Sequence, residues 1–249
     1  MNQSKPSILI GDVHGCLAEL QALWSNLPLS SDAEIIFLGD LIDKGPNSDG
    51  VLQFLSEMKN HYDIKLILGN HELKALKRAK KSLPVGFTPT DENVKLLECS
   101  LPFYSFGDGR YLALHAGIFP AFFQSYPKLP DLSQAGEWDS KLVDRVHRFT
   151  FCRYVNPAGQ TVSLGQEQAQ DYFWAESYDG RWGHVFFGHQ PLMNGVGHFP
   201  HATGLDTGCV YGGHLTAAYI DAHSQIQYFQ VRAENKFADL LTDGYSLKK

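Results

Sequence analysis

The sequence predicts an α/β sandwich in one domain, residues 1–249, with a second, mixed or antiparallel sheet. Three observations carry this. Five short apolar runs stop abruptly at polar residues, four of them at a glycine. Helical spacing fills the intervals between the first three runs. Beyond Pro191, glycines punctuate the remaining apolar runs.

Residues 7–10 (SILI) read as a strand that ends at Gly11-Asp12-Val13-His14-Gly15. Leu17, Leu20, Leu23, Trp24 and Leu27 then recur at helical spacing. Residues 35–38 (IIFL) end at Gly39-Asp40, and Val51, Leu52, Leu55 and Met58 predict a second helix. Residues 65–68 (KLIL) end at Gly69-Asn70-His71-Glu72. This βαβαβ order makes parallel strands through right-handed crossovers, and ligands gather at the carboxyl ends of such strands. Two later runs follow the same grammar. Residues 111–114 (YLAL) end at His115-Ala116-Gly117, and residues 185–187 (VFF) end at Gly188-His189. The proline-interrupted stretch 120–146 receives no assignment. Residues 215–220 (LTAAYI) and 226–231 (IQYFQV) read as antiparallel strands joined by a tight turn. No internal repeat, low-complexity tract or linker interrupts the chain.

Composition narrows the function. With 249 residues, 43% hydrophobic and 19% charged, the chain can bury a full core as one domain. No apolar run reaches the ~18 residues of a membrane span, so a cytoplasmic protein with no membrane partner is expected. Cys16, Cys99, Cys152 and Cys209 are scattered without a CxxC pair and read as reduced thiols. A net charge of −6 argues against duplex nucleic acid and leaves room for a small anionic ligand in a local pocket.

Asp12, His14, Asp40, Asn70, His115 and His189 offer carboxylate, imidazole and amide oxygen. That mixed donor set suits Mn, Fe, Zn or Co better than Ca or Mg alone. Six ligands suffice for two divalent ions, with Asp40 as the bridging carboxylate, in a site suited to in-line displacement at phosphorus. Taken singly, Gly-Asp after a strand is an ordinary turn and a histidine is a core residue. Five strand ends in one series point to metal instead. His61, His147, His184, His198, His201, His214 and His223 are read as structural.

The motifs GDVHG, GDLIDKG, GNHE, HAG and GH, spread over residues 11–189, resemble those of the calcineurin-like metallophosphatases. The similarity is to the branch that holds phosphoprotein phosphatases and symmetrical diadenosine tetraphosphatases. GDLIDKGPNS at 39–48 and LDTGCVYGGHLTA at 205–217 are closer to the bacterial tetraphosphatases. The resemblance implies a four-layer α/β/β/α sandwich of two mixed sheets. It implies one metal on Asp12, His14 and Asp40, and another on Asp40, Asn70, His115 and His189. Manganese is the expected ion, with Fe, Zn, Co or Ni as alternatives. His71 is implied as general acid, and Asp43, three residues after Asp40, would orient its imidazole and raise its pKa.

Lys44 departs from the arginine common at this position in phosphoprotein phosphatases, and lysine is a point charge where arginine is a planar fork. Phosphate binding is expected from Lys44 and Asn70, with Arg153 or Arg148 as a further clamp; the sequence leaves that choice open. Lys74, Lys77, Arg78, Lys80 and Lys81 read as a solvated helix face or as a surface met by a polyphosphate tail or RNA leader. The expected function is hydrolysis of phosphoanhydride or phosphoester bonds. The expected partner is a small phosphorylated substrate, a nucleotide polyphosphate such as diadenosine tetraphosphate or a capped RNA end. A phosphoprotein phosphatase and a non-catalytic metal-binding scaffold are the alternatives.

Overall fold

Strand β1 (Ser7–Ile10) is buried along its whole length, and its alternate side chains serve two different cores. The structure, a computed structural model, describes residues 5–243, so the expected domain limits at 1 and 249 lie outside the described residues. Helix α1 (Leu17–Asn26) leads to β2 (Glu34–Phe37), and α2 (Ser48–Met58) leads to β3 (Asp63–Leu66). The Asn47 side chain caps α2 by accepting from the Gly50 N–H. The three strands pair in parallel, as the βαβαβ pattern requires. β2 and β3 begin one and two residues earlier than the apolar runs suggested. Ile67 still pairs, as an isolated bridge to Leu101.

Helices α3 (Asn70–Ala79) and α4 (Asp91–Glu98) precede a hairpin of β4 (Phe103–Phe106) and β5 (Tyr111–Leu114). The unassigned stretch 120–146 folds as α5 (Pro120–Ser125), a 3-10 turn (Leu132–Glu137) and α6 (Ser140–His147). Short strands β6 (Tyr154–Val155), β7 (Thr161–Val162) and β8 (Tyr172–Phe173) form a small sheet of their own before α7 (Trp174–Ser177). Then come β9 (His184–Phe187), β10 (Gly197–Phe199), β11 (Ala202–Gly204), β12 (His214–Ile220) and β13 (Ile226–Arg232).

The main sheets have the orders β13-β12-β1-β2-β3 and β10-β11-β9-β5-β4, and both mix parallel and antiparallel pairs. β12 and β13 are the expected antiparallel pair, and they extend the first sheet beside β1. Leu9, Ile36, Ala113 and Phe186 fill the space between the two sheets. Ile8 and Phe37 face α1 and α2, while Leu112 and Phe187 face α5, α6 and α7. Four layers, α/β/β/α, follow from this alternation. Among the described residues no helix is long and apolar enough to cross a membrane.

The strand-end loops are laced together by hydrogen bonds. Glu72, fully buried on the first turn of α3, accepts from the N–H of Asp40 (2.8 Å), Leu41 (2.8 Å), Gly69 (3.1 Å) and Ile42 (3.4 Å). The Asp40 carbonyl in turn accepts from the N–H of Val13 (3.1 Å) and His14 (2.8 Å). On the second sheet, the His115 carbonyl accepts from the Gly188 N–H at 2.8 Å. Loops from strands far apart in sequence thus hold one another, with Glu72 joining two of them directly.

Replacing Glu72 with alanine leaves four buried N–H groups without this acceptor and is expected to destabilise the fold by at least ~3 kcal/mol. Urea unfolding checks this. Glu72→Gln, which keeps one acceptor oxygen, should fall between the parent and Glu72→Ala. A Glu72→Ala protein within about 1 kcal/mol of the parent would show that the tie is dispensable.

Candidate dinuclear metal site

The candidate ligands stand where strands stop. Asp12 and His14 follow β1, Asp40 follows β2, Asn70 opens α3 after β3, His115 follows β5 and His189 follows β9. Three of them are non-glycine residues with left-handed backbones: His14 (φ 46°), Asp40 (φ 50°) and His189 (φ 66°). Such conformations cost on the order of 1–3 kcal/mol each and concentrate at functional sites. Neighbouring glycines make room for the carboxylates. A Cβ on Gly69 would lie 2.2 Å from Asp40 Oδ1, and one on Gly188 would lie 2.0 Å from Asp12 Oδ1.

Ligand-type atoms converge closely. His115 Nε2 lies 3.0 Å from Asn70 Oδ1, 3.1 Å from His189 Nδ1 and 3.3 Å from Asp40 Oδ2. His14 Nε2 lies 3.6 Å from Asp40 Oδ2 and 4.0 Å from Asp12 Oδ2. Two groups each keep their ligand atoms within 4.8 Å, one of His14, Asp40 and His71 and the other of Asp40, His115 and His189. Asp40 belongs to both. The Nδ1 of His14 meets the Ile42 carbonyl at 3.1 Å and that of His115 meets the Leu38 carbonyl at 2.7 Å. When Nδ1 carries the proton and donates it there, the Nε2 lone pair points to the shared carboxylate.

The electrostatics fit cations. Burial pushes His14 down to about 3 and holds His189 well below the usual imidazole range, so both rings are neutral and able to ligate. Burial, with Asp206 and Asp40 close by, pushes Asp12 well above the usual carboxylate range. Burial likewise raises Asp206 to about 6, and burial with Asp40 raises Glu72 to about 7. Burial opposes ionisation of Asp40 too, but His115 and His71 outweigh it and hold its carboxyl well below the ordinary value. Four buried carboxylates beside neutral imidazoles make a pocket whose charge balance improves when divalent cations enter.

His71 and Asp43 meet as the sequence suggests, with Nδ1 2.9 Å from Oδ2. The His71 backbone N–H donates to Asp40 Oδ1 at 3.0 Å, which pins the residue beside the shared carboxylate. Burial works against the charged ring, yet Asp40 and the Asp43 hydrogen bond outweigh it and raise the His71 pKa. The same hydrogen bond holds Asp43 below the ordinary carboxylate value.

The expected phosphate-binding residues separate in space. Arg153 is buried and donates from Nη2 to the His189 carbonyl at 3.4 Å. Arg148 is exposed and donates to Thr161 Oγ1 at 2.9 Å, so the fold brings Arg153 and not Arg148 against a ligand loop. Lys44 approaches the site, and its Nζ lies 3.0 Å from Asp243 Oδ2 and donates to the Tyr211 hydroxyl. Tyr211 donates in turn to Asp243 at 2.7 Å. The roles of Glu72, Asp206, Tyr211 and Asp243 escaped the sequence reading. Glu72 and Asp206 lie inside the quoted GNHE and LDTG segments, which offered a signal, whereas nothing local marks Asp243. The scattered thiols also regroup: Cys16 and Cys209, with Glu19, form a buried cluster whose candidate ligand atoms lie within 4.8 Å.

Comparison with known proteins agrees with this arrangement. The family model for calcineurin-like phosphoesterases matches residues 6–198. The symmetrical bis(5'-nucleosyl)-tetraphosphatase of Cellvibrio japonicus is 26% identical over 88% of this chain and 96% of its own. The asymmetrical bis(5'-nucleosyl)-tetraphosphatase PrpE of Bacillus velezensis is 28% identical, over 88% and 90%. A crystal structure provisionally named a diadenosine tetraphosphatase superposes with a TM-score of 0.69 at 27% identity, covering 94% of this chain and 96% of that one. A cold-active protein-tyrosine phosphatase from a psychrophilic Shewanella shares the fold, with a TM-score of 0.59 at 17% identity over 90% and 80%. The family implies a dinuclear divalent metal site, and the Asp40-centred groups are the His/Asp clusters that match it. The chain belongs to the calcineurin-like phosphoesterases, hydrolases of phosphoester and phosphoanhydride bonds.

Proposed function

We propose that this protein hydrolyses nucleoside polyphosphates, with diadenosine tetraphosphate as the representative substrate. The observation that carries the reading is Asp40, whose carboxylate is common to two ligand clusters and receives the backbone N–H of His71. One cation is assigned to Asp12, His14 and Asp40, and the other to Asp40, Asn70, His115 and His189. Manganese is the proposed ion, since the donors are a mixture of hard oxygen and borderline imidazole nitrogen. When bound, the cations supply water activation at neutral pH and neutralise phosphate charge. The reaction adds the oxygen of water to phosphorus and breaks the P–O bond to the leaving group. His71 gives its proton to the departing oxygen, and Asp43 keeps the ring oriented for that transfer. Lys44, Asn70 and Arg153 are assigned to phosphate.

The names of the bacterial relatives support the nucleotide substrate, and so does Lys44, a point charge suited to one of several linked phosphates. A nucleotide cap on RNA presents the same linkage. The protein phosphatase alternative draws on likeness of fold alone. We assign the activity to one catalytic domain over residues 1–249 in the cytoplasm, a reading supported by four free cysteines.

Exhaustive chelation should abolish phosphatase activity, and Mn²⁺ or Co²⁺ should restore it. Asp40→Asn should lower metal stoichiometry and cost more activity than substitution of any single-metal ligand. Activity that survives verified metal removal would sink the reading.

His71→Asn should slow substrates with high-pKa leaving groups more than para-nitrophenyl phosphate, at near-parental metal content. Equal slowing across a leaving-group series would argue for positioning without proton transfer.

The substrate assignment predicts a higher kcat/KM for diadenosine tetraphosphate than for phosphopeptides, measured at one metal concentration and one ionic strength. Lys44→Ala should narrow that gap. Asp243→Asn, which releases Lys44 from its ion pair, should move the KM for the tetraphosphate in the opposite direction. Phosphopeptides turned over faster at limiting concentration would replace the nucleotide reading with a protein phosphatase.

A further inference from the structure

We infer that the groove along α3, running outward from Asn70 to Phe151, binds one nucleoside of the substrate, with its base on Phe151 and its proximal phosphates on Lys74, Lys77 and Lys81. This rests on the nucleotide reading above and adds a subsite that the catalytic residues do not provide.

Helical geometry sets the charges in line. Asn70, Lys74 and Lys77 follow i, i+4 and i+7 spacing on α3, so one stripe begins at a proposed metal ligand and continues for roughly 10 Å at the helical rise, and Lys81 extends it from the turn just past the helix. The basic run divides in two. Lys80 pairs with Glu98 at 3.6 Å and Arg78 donates from Nε to the Pro84 carbonyl at 2.6 Å, so these two are occupied structurally. Among the described residues no carboxylate lies within 4.0 Å of Lys74, Lys77 or Lys81. Lys74 stands close enough to the catalytic loop to help keep Asp43 ionised. The charge therefore extends continuously from the site.

A cavity of about 350 Å³ follows this stripe, with Asn70 and the three lysines on one side and Leu83 and Phe151 among its apolar walls. That volume lies within the range of small-ligand sites. Phe151 is 45% exposed and Leu83 46%, an unusual cost for two large apolar side chains beside a cationic row. An apolar face next to fixed positive charge matches a ligand with an aromatic ring at one end and phosphates at the other. Nucleobases stack on such rings whatever their sequence identity, and the lysines suit the phosphates.

The wall that carries Phe151 is anchored to the catalytic loops. Phe149, fully buried, accepts through its carbonyl from the N–H of Ala116, next to His115, at 2.8 Å. Arg153, two residues beyond Phe151, meets the His189 carbonyl. A base stacked on Phe151 is thereby held at a set distance from the reacting phosphorus, which favours dinucleotide polyphosphates over isolated phosphomonoesters.

Titration calorimetry on the metal-loaded protein tests this with two probes, a methylene-bridged diadenosine tetraphosphate analogue and inorganic tripolyphosphate, which has no base. Phe151→Ala should weaken the analogue roughly tenfold or more and spare tripolyphosphate, and Phe151→Trp should restore binding. The double variant Lys77→Ala/Lys81→Ala should weaken both probes and flatten their salt dependence. Para-nitrophenyl phosphate hydrolysis and thermal unfolding check that each variant is folded and loaded. If the wild type turns over para-nitrophenyl phosphate but does not bind the analogue, the nucleotide reading and the subsite fall together. If the analogue binds and Phe151→Ala leaves its affinity unchanged, or weakens both probes equally, the subsite alone is overturned.

Discussion

Burying several carboxylates and imidazoles at one place between two sheets is the constraint on which the rest of this structure depends. Asp12, Asp40, Glu72 and Asp206 are all nearly inaccessible, as are His14, His115 and His189. Ionised groups removed from water are expensive unless opposite charge or hydrogen bonds replace the solvent. Here the replacement is partial. Glu72 is satisfied by backbone N–H groups and Asp12 by the His189 N–H, while Asp40 faces the histidine rings. The residual cost is what divalent cations relieve, so metal affinity and local stability are two aspects of one electrostatic arrangement.

The backbone is shaped to the same end. His14, Asp40, Asp43, Lys44 and His189 all adopt left-handed conformations, and each directs a polar side chain off a strand end or the loop that follows it. Strain of this kind persists where surrounding hydrogen bonds over-determine the chain. The Asp40 carbonyl receives two N–H groups from the first loop, and Glu72 grips Asp40 from the third. Gly69 and Gly188 leave no Cβ to displace the carboxylates. The sheets supply a rigid floor through Leu9, Ile36, Ala113 and Phe186, so the loops are held from below as well as across.

Around this centre the cationic residues are graded by their partners. Arg153 is buried against the His189 loop, Lys44 is paired with Asp243 and Tyr211, and Lys74 and Lys77 on α3, with Lys81 just past its end, are exposed. Under the proposed function, a substrate phosphate would compete with Asp243 for Lys44, whereas the outer lysines would incur only desolvation. On that proposal, such a gradient would distinguish a chain of phosphates from a single one more readily than a lone arginine fork does.

Much of the candidate site was legible before folding because it is written in local signals. An apolar run, a glycine and a ligand residue occur in sequence order at five strand ends, and helical spacing between the first three dictates parallel strands. The convergence of Asp12, Asp40 and Asn70 follows from that topology, and the His71–Asp43 pair from the motif resemblance, whereas His115 and His189 reach the site from the second sheet. Tertiary structure decided what depends on sheet order and long-range register. It carried the late hairpin into the first sheet beside β1, placed Arg153 at the site and Arg148 on the surface, and gave Glu72 its four donors. It also brought Tyr211 to Lys44 across 167 residues of sequence. Periodicity reports which face of an element is buried, and only the packing of whole sheets determines which distant side chain that face will meet.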